Sequence, residues 1–446
     1  MKSGQKPTQN IIKAYDTINQ KYLQIGTFHK TCFHVHTPAS YDYRLLSEWS
    51  DEQYQKASDK EIYDLCIEKR VIPYVQLLDD IDLEDGFNSK KELLSFVLLA
   101  NSIYEANIKI VLVADHNTVD GIKKLNVAID KVRLQKGFEY RPTVLAGVEI
   151  SCADKLHVVG IFEDIQEKKE AVKEWLRTNL MSLKEGTYET SLVVMEFFKS
   201  IDGIAYVAHI NSSEVFHGKI GSGTYKEKLF RRETMEIVGM SEYSQQDRVR
   251  THFAGYNNAS IKLVIDNDAH NIDTLKENCF WIKGGQRNYA MVKEALADYD
   301  ISVSLTKEQQ AQRFIKGLYI EPWDDGFLRG DKDGNEPFCI GFSSALNCII
   351  GGRGTGKSTI LELLEYVMSQ RCKTEKQLEF LCKHSNVWVL YVEGVDEYLI
   401  HMIMPKQEEF SKGILDYFGN GEGENIGESI MNMISKVSKN MRVRSI

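Results

Sequence analysis

The chain has 446 residues, a formal net charge of −9 and a sequence pI near 5.8, which is long enough for two or three domains with ordinary cores. That balance argues against a protein that coats nucleic acid by bulk electrostatics. Eight scattered cysteines with no Cys-x-x-Cys spacing fit a reducing cytoplasm better than a disulfide framework or a zinc finger. The N-terminal Met1-Lys-Ser-Gly-Gln-Lys-Pro7 has no apolar signal core, and no uninterrupted apolar span reaches membrane length, so a cytoplasmic protein without a membrane partner is expected.

In chain order, short apolar and β-branched runs at 31–35, 108–113, 143–148, 156–162, 204–207, 235–240 and 261–265 read as about seven buried parallel strands. Six of the eleven histidines stand at or beside these runs, several with carboxylates next to them: His34 and His36, Asp115-His116, Glu149, His157, His209, and Asp268 with His270. Only the run at 235–240 has no obvious ligand. Imidazole and carboxylate bind divalent metals well, and in β/α barrels functional groups gather at the carboxyl ends of the strands. A ring of strand ends can bring distant residues together to hold two or three ions. His29, His217, His252, His384 and His401 fit no such pattern and default to surface or packing roles. Arg231, Arg232, Arg248 and Arg250 are the nearest thing to a basic patch and read as solvated helix faces.

The motifs His34-x-His36, Asp115-His116, Gly147-Val148-Glu149, Ala208-His209 and Asp268-Ala269-His270, in this order, resemble the PHP family of metal-dependent phosphoesterases (polymerase and histidinol phosphatase type). The likeness covers roughly residues 28–305. It implies a distorted seven-stranded β/α, TIM-like barrel with up to three Mn, Zn or Fe ions. It nominates His34, His36, His116, Glu149, His157, His209, Asp268 and His270 as ligands, with Asp42 a looser match. Glu149 and Asp268 are the candidate metal-bridging carboxylates, and Asp115 reads as a carboxylate that orients an imidazole. Metal-activated water would then attack a phosphate ester. Hydrolysis of a C–N bond is the alternative chemistry. The 78 residues at 37–114 exceed what a strand-helix-strand step needs. Helical patterns at Asp59–Glu68 and Lys90–Glu105 make an insertion over about 43–106 a lid or partner surface, with specificity expected in it.

Further along, Gly351, Gly352, Arg353, Gly354, Thr355, Gly356, Lys357, Ser358 and Thr359 fit the phosphate-binding pattern Gly-x4-Gly-Lys-Ser, between the apolar stretches 345–350 and 360–367. Backbone amides and a helix N-terminus would cradle phosphates, Lys357 would reach the β and γ phosphates of ATP, and Ser358 would hold Mg. The surrounding stretch resembles the start of an ABC or SMC-like ATPase, with 314–320 and 338–342 as its early strand pair. A PHP module followed by such an ATPase resembles the TrlF-type fusions. After Ser358 only 88 residues remain. The stretch 387–398 reads as strand-turn-strand with Asp396 and Glu397 at the turn, and neither an ABC signature nor a second acidic motif follows.

The expected organisation is an N-terminal extension (1–27), a barrel (28–305) and a partial P-loop NTPase domain (313–446). A homodimer or a partner chain would have to complete the ATPase. The expected function is a metal-dependent phosphoesterase of phosphatase or nuclease type joined to an ATP-binding module, with nucleic acid one candidate substrate. The competing reading is an ATP-binding regulatory or interaction subunit whose barrel is a non-catalytic scaffold. A polar junction at 302–312 and a flexible tail at 419–427 complete the expectations.

Overall fold

The computed structural model describes residues 9–22, 26–72, 77–84, 86–218, 223–306, 313–324, 326–330, 336–369, 375–404 and 441–445. The expected tail at 419–427 and the junction beyond residue 306 lie outside them. The chain divides into two compact units, one spanning Phe28–Glu308 and the other joining Met1–Thr27 to Gln309–Ile446.

In the first unit seven strands close into a barrel: β1 (Thr27–Val35), β2 (Ile110–Val113), β3 (Thr143–Ser151), β4 (His157–Phe162), β5 (Ile204–Val207), β6 (Ile237–Met240) and β7 (Lys262–Ala269). They pair in sequence order, and β7 returns to β1 to complete the ring. Runs such as Ile110–Val113, buried throughout, are apolar without alternation because both faces of the wall are covered. Two further strands, β8 (Phe280–Gly284) and β9 (Val303–Ser304), extend the sheet past β1.

One strand departs from the expected parallel order. β4 runs antiparallel to both β3 and β5. Only the five residues 152–156 separate it from β3, whereas a parallel crossover needs a dozen or more. The connection is a tight turn in which the Cys152 amide donates to Leu156 O at 2.9 Å and Lys155 takes a φ of 62°. His157 therefore opens its strand rather than closing it. Because it pairs with Ser151, it still stands at the same rim as the carboxyl ends of the parallel strands.

The long β1–β2 connection carries the two expected helices with the expected bounds, but one of them is placed differently from expectation. Its helices Asp59–Glu68 and Lys90–Glu105 start on Ser58 and Ser89, whose side chains accept from the amides three residues on. Every residue from Leu93 to Tyr104 is buried, so Lys90–Glu105 is a helix of the barrel wall, packed between Asp59–Glu68 and Gly121–Lys136, and not a lid.

The second unit is a wholly antiparallel sheet in the order β11-β10-β12-β13-β14, built from β10 (Arg313–Pro322), β11 (Phe338–Gly341), β12 (His384–Glu393), β13 (Asp396–Ile403) and β14 (Met441–Ser445). Both faces are covered. Trp388 and Leu390 of β12 pack with Ala14 and Ile18 of the helix Gln9–Lys21, while Val387 and Val389 pack with Leu363 and Val367 of the helix Lys357–Ser369. The period-two alternation of a strand thus serves two helices and explains the continuous apolar run. Residues 1–27, read from sequence as an extension, contribute one of those helices. No helix among the described residues is long and apolar enough to cross a membrane.

Candidate metal centre

The nine nominated ligands converge at one rim of the barrel. Glu149, wholly buried on β3, is the hub. Its Oε2 stands 2.9 Å from His116 Nδ1, 3.0 Å from His34 Nε2 and 3.5 Å from His36 Nε2, while Oε1 stands 2.7 Å from His157 Nδ1 and 3.3 Å from His209 Nε2. Asp268 Oδ1 lies 3.2 Å from His36 Nε2 and 3.6 Å from His270 Nδ1. Asp42, held by the Ser40 hydroxyl at 2.7 Å, reaches His270 and His116 at 3.0 and 3.2 Å. Three donor sets have their atoms mutually within 4.8 Å: His36, Asp42, His116 and His270; His34, His36, Glu149 and Asp268; and His116, Glu149 and His157.

The donor chemistry fits divalent ions. His34 Nε2, His116 Nδ1 and Glu149 Oε2 are buried and lack a hydrogen-bond partner despite these short separations, and His36 Nδ1 is buried without a partner as well. Buried polar atoms are rarely left so, and a cluster of imidazole and carboxylate donors within 4.8 Å of one another is what a divalent cation requires. Three of the group also hold strained backbone: φ is 62° at His34, 30° at His209 and 50° at Asp268. Non-glycine residues pay for this conformation, and such outliers gather at functional sites.

Electrostatics bind the cluster together. Burial would raise the Glu149 carboxyl, but His34 and His116 outweigh it and hold the group well below the usual carboxylate range. Burial likewise opposes charging of His116, yet Glu149 and Asp42 push it up to about 10. His36 goes the other way, to about 3, through burial and the neighbouring His270. A site with several half-compensated imidazoles is one in which cations and protons compete.

Sequence reasoning misassigned one carboxylate and missed another. Asp115 orients no imidazole. It accepts the Thr37 amide at 2.5 Å and the Thr37 hydroxyl at 2.8 Å, fixing the turn after His36, and burial lifts its carboxyl to about 7. The orienting role falls to Asp266, which accepts from His34 Nδ1 at 2.6 Å, from the Tyr206 hydroxyl at 3.1 Å and from the His209 amide at 2.5 Å. Its signal lay in the spacing Asp266-x-Asp268, two carboxylates two residues apart after the apolar run 263–265.

At the glycine-rich loop, Gly354 and Gly356 take φ of 79° and 89°, the helix begins at Lys357, and Lys357 Nζ donates to Gly351 O and Gly352 O at 2.7 and 2.6 Å. The expected strand ahead of it is not formed. Residues 345–350 pair with nothing in the sheet, and Leu346 and Ile350 are 89% and 91% exposed. Phosphate-binding loops of NTPases follow a strand, and the sheet here is antiparallel without one at that point. Asp396 and Glu397 do stand at a hairpin turn, where Glu397 accepts from Tyr15 and Lys316, each at 2.7 Å.

No protein-family model matches the chain. An uncharacterized protein of Streptococcus pneumoniae serotype 4 is 40% identical over 228 residues, which is 50% of this chain and 88% of that one. The chain belongs to the same family as that protein. Among solved structures, the lesion-specific endonuclease EndoQ of Pyrococcus furiosus aligns at 12% identity over 61% of this chain, which spans 56% of the endonuclease, with a TM-score of 0.35. A two-domain Bacteroides vulgatus protein containing a predicted PHP-like metal-dependent phosphoesterase aligns at 10% identity over 72% of this chain and 86% of that one, with a TM-score of 0.35.

Proposed function

We propose that the barrel is a metal-dependent phosphoric ester hydrolase, of phosphatase or nuclease type, holding two or three Mn, Zn or Fe ions. The observation that carries this reading is the hub: one buried carboxylate among five imidazoles, with orphaned lone pairs, at the rim where strand ends meet. When bound, the ions supply an acidified water and positive charge against the phosphoryl oxygens.

The residues do the rest. Asp266 keeps the His34 proton on Nδ1, which leaves Nε2 free to ligate. Glu149 belongs to two of the donor sets and so could bridge ions, and Asp268, a member of one set, turns Oδ1 within 3.6 Å of His270 in another, which would suit the same role. Asp115 holds the Thr37 turn that carries the chain from His36 to Asp42. No nucleophilic side chain is needed.

The glycine-rich loop is proposed to bind the phosphates of ATP with Mg weakly through residues 351–359, since its amides, helix start and Lys357 suit an anion. Turnover there would need a homodimer or partner chain to supply the acidic residue and strand that the described residues do not place at the loop.

The test is metal analysis joined to a phosphoesterase panel of aryl phosphate, nucleotides, single- and double-stranded DNA, and RNA. More than one equivalent of metal is expected, with hydrolysis abolished by chelation and by His34→Ala with His36→Ala. A metal-free preparation that stays inactive after Mn, Zn and Fe are each restored would refute hydrolysis and favour the regulatory scaffold.

A further inference from the structure

At the rim opposite the metal centre, where β1, β2 and β3 begin, the structure gathers cations without counter-charges. Lys109, just ahead of β2, places Nζ 3.1 Å from the centroid of the Tyr140 ring, and the Arg287 guanidinium lies 5.9 Å from the same centroid. His29 on β1 donates from Nε2 to Gly284 O at 3.1 Å, and Lys283 lies 5.7 Å from the Phe28 ring. The backbone ties these positions together. The Lys109 amide donates to Lys30 O and the Thr143 amide to Lys109 O, both at 2.9 Å, and the Thr143 hydroxyl donates to Arg287 O at 3.0 Å.

Lys109, Arg287, Lys283, His29 and Tyr140 are all half-buried. None of the three fixed cations has a carboxylate within 4.0 Å among the described residues, although the chain as a whole is acidic. The arginines flagged in the sequence are spent differently, Arg248 on His217 and Arg250 on Ile261 O. Burial and then Arg287 bring the Lys109 amine down to about 8, and His29 is lowered by burial and by both cations. The Tyr140 hydroxyl is buried and has no partner. Sunken like charges without an anion are costly, and an orphaned donor beside them points the same way.

We propose that this rim is a phosphate-binding site, taking a phosphate group between the Lys109 ammonium and the Arg287 guanidinium with the Tyr140 hydroxyl as a third donor. Two cationic donors and a phenol match the acceptor-rich phosphate chemistry. The strand-length separation from the metal centre makes it a site for a second ligand and not for the scissile group.

The test uses the full chain carrying Lys357→Ala and stripped of metal, which weakens the nucleotide loop and empties the metal centre, so binding is assigned to the rim only where it falls with substitutions at the rim. Inorganic phosphate, a nucleoside monophosphate and an oligonucleotide bearing or lacking a 5′-phosphate are titrated by calorimetry against chloride at matched ionic strength. Phosphate should bind. The monophosphate and the 5′-phosphorylated strand then distinguish a small-molecule ligand from a nucleic-acid end, and binding by either supports the site where it falls with the rim substitutions. Lys109→Met with Arg287→Gln should weaken binding by about tenfold or more, and Tyr140→Phe, which keeps the ring under Lys109, by a few-fold. Bound phosphate should also shield Lys109 from an amine-acylating reagent near pH 8, read by peptide mass mapping. That readout needs no substitution, so it holds even where the double variant misfolds. The Lys109 reactivity belongs to a cluster that includes His29, Lys30, Lys283, Arg287 and Tyr140, so it is followed at that one lysine. No binding beyond the chloride control, or binding and shielding indifferent to the substitutions, would overturn the proposal.

Discussion

Asp266→Asn isolates how the protein controls one ligand without touching the metal. Asp266 Oδ1 accepts from His34 Nδ1 and Tyr206, and Oδ2 accepts from the His209 amide. An amide can offer only one oxygen, so one of these donors must face an NH2 group. If the nitrogen turns to His209, a buried amide proton loses its acceptor beside a strained backbone. If it turns to His34, the imidazole can satisfy it only by moving its proton to Nε2, which removes the lone pair aimed at Glu149 and Asp268. Losing an orienting partner of this kind typically costs 10–100-fold in metal affinity or activity, about 1.4–2.7 kcal/mol. The assay is metal content by mass spectrometry after dialysis against graded chelator, alongside phosphoesterase rate and melting temperature. An Asp266→Asn protein that is folded, binds metal as tightly as the parent and turns over normally would refute the reasoning.

In the metal-free protein, His116 sits at about 10 against an ordinary 6.5, so its stabilisation is complete below 6.5 and lost as pH rises through 10. Calorimetric scans should show the melting temperature of metal-free protein falling over that window, while metal-loaded protein, already deprotonated, falls less. Titrating metal into the protein near neutral pH should release protons, measured by calorimetry in buffers of different ionisation enthalpy. Lys357→Ala should lower ATP affinity in equilibrium dialysis and leave aryl phosphate hydrolysis unchanged. At Gly160 on β4, an added Cβ would lie 2.0–2.3 Å from atoms of the Phe198 ring, so Gly160→Ala should destabilise the barrel by about 1–3 kcal/mol in denaturant unfolding.

The strands of the barrel were legible because β-branched runs and their ligand-bearing ends coincide, and β5 at Ile204–Val207 matches its run to the residue. The direction of β4 was not read, although the five-residue link before it carried the information. The length of the 37–114 connection made Lys90–Glu105 look like an addition, because a mostly apolar helix can only be told from a lid once its neighbours are known. The histidines were legible as a series. Asp266 was not, since a carboxylate two positions from a nominated ligand looks redundant until the fold shows that it faces His34. The cationic rim was invisible because its members are scattered from His29 to Arg287 and share no motif.

The helix Gln9–Lys21 lays Ala14 and Ile18 against Trp388, Leu390 and Leu399. During synthesis at about 5–20 residues per second, that helix leaves the ribosome long before the strands it covers exist, and the whole barrel is made in between. It must wait, with its apolar stripe uncovered, through most of the translation time. The second unit draws on both ends of the sequence, so its sheet is completed only after all the residues of the barrel have been made.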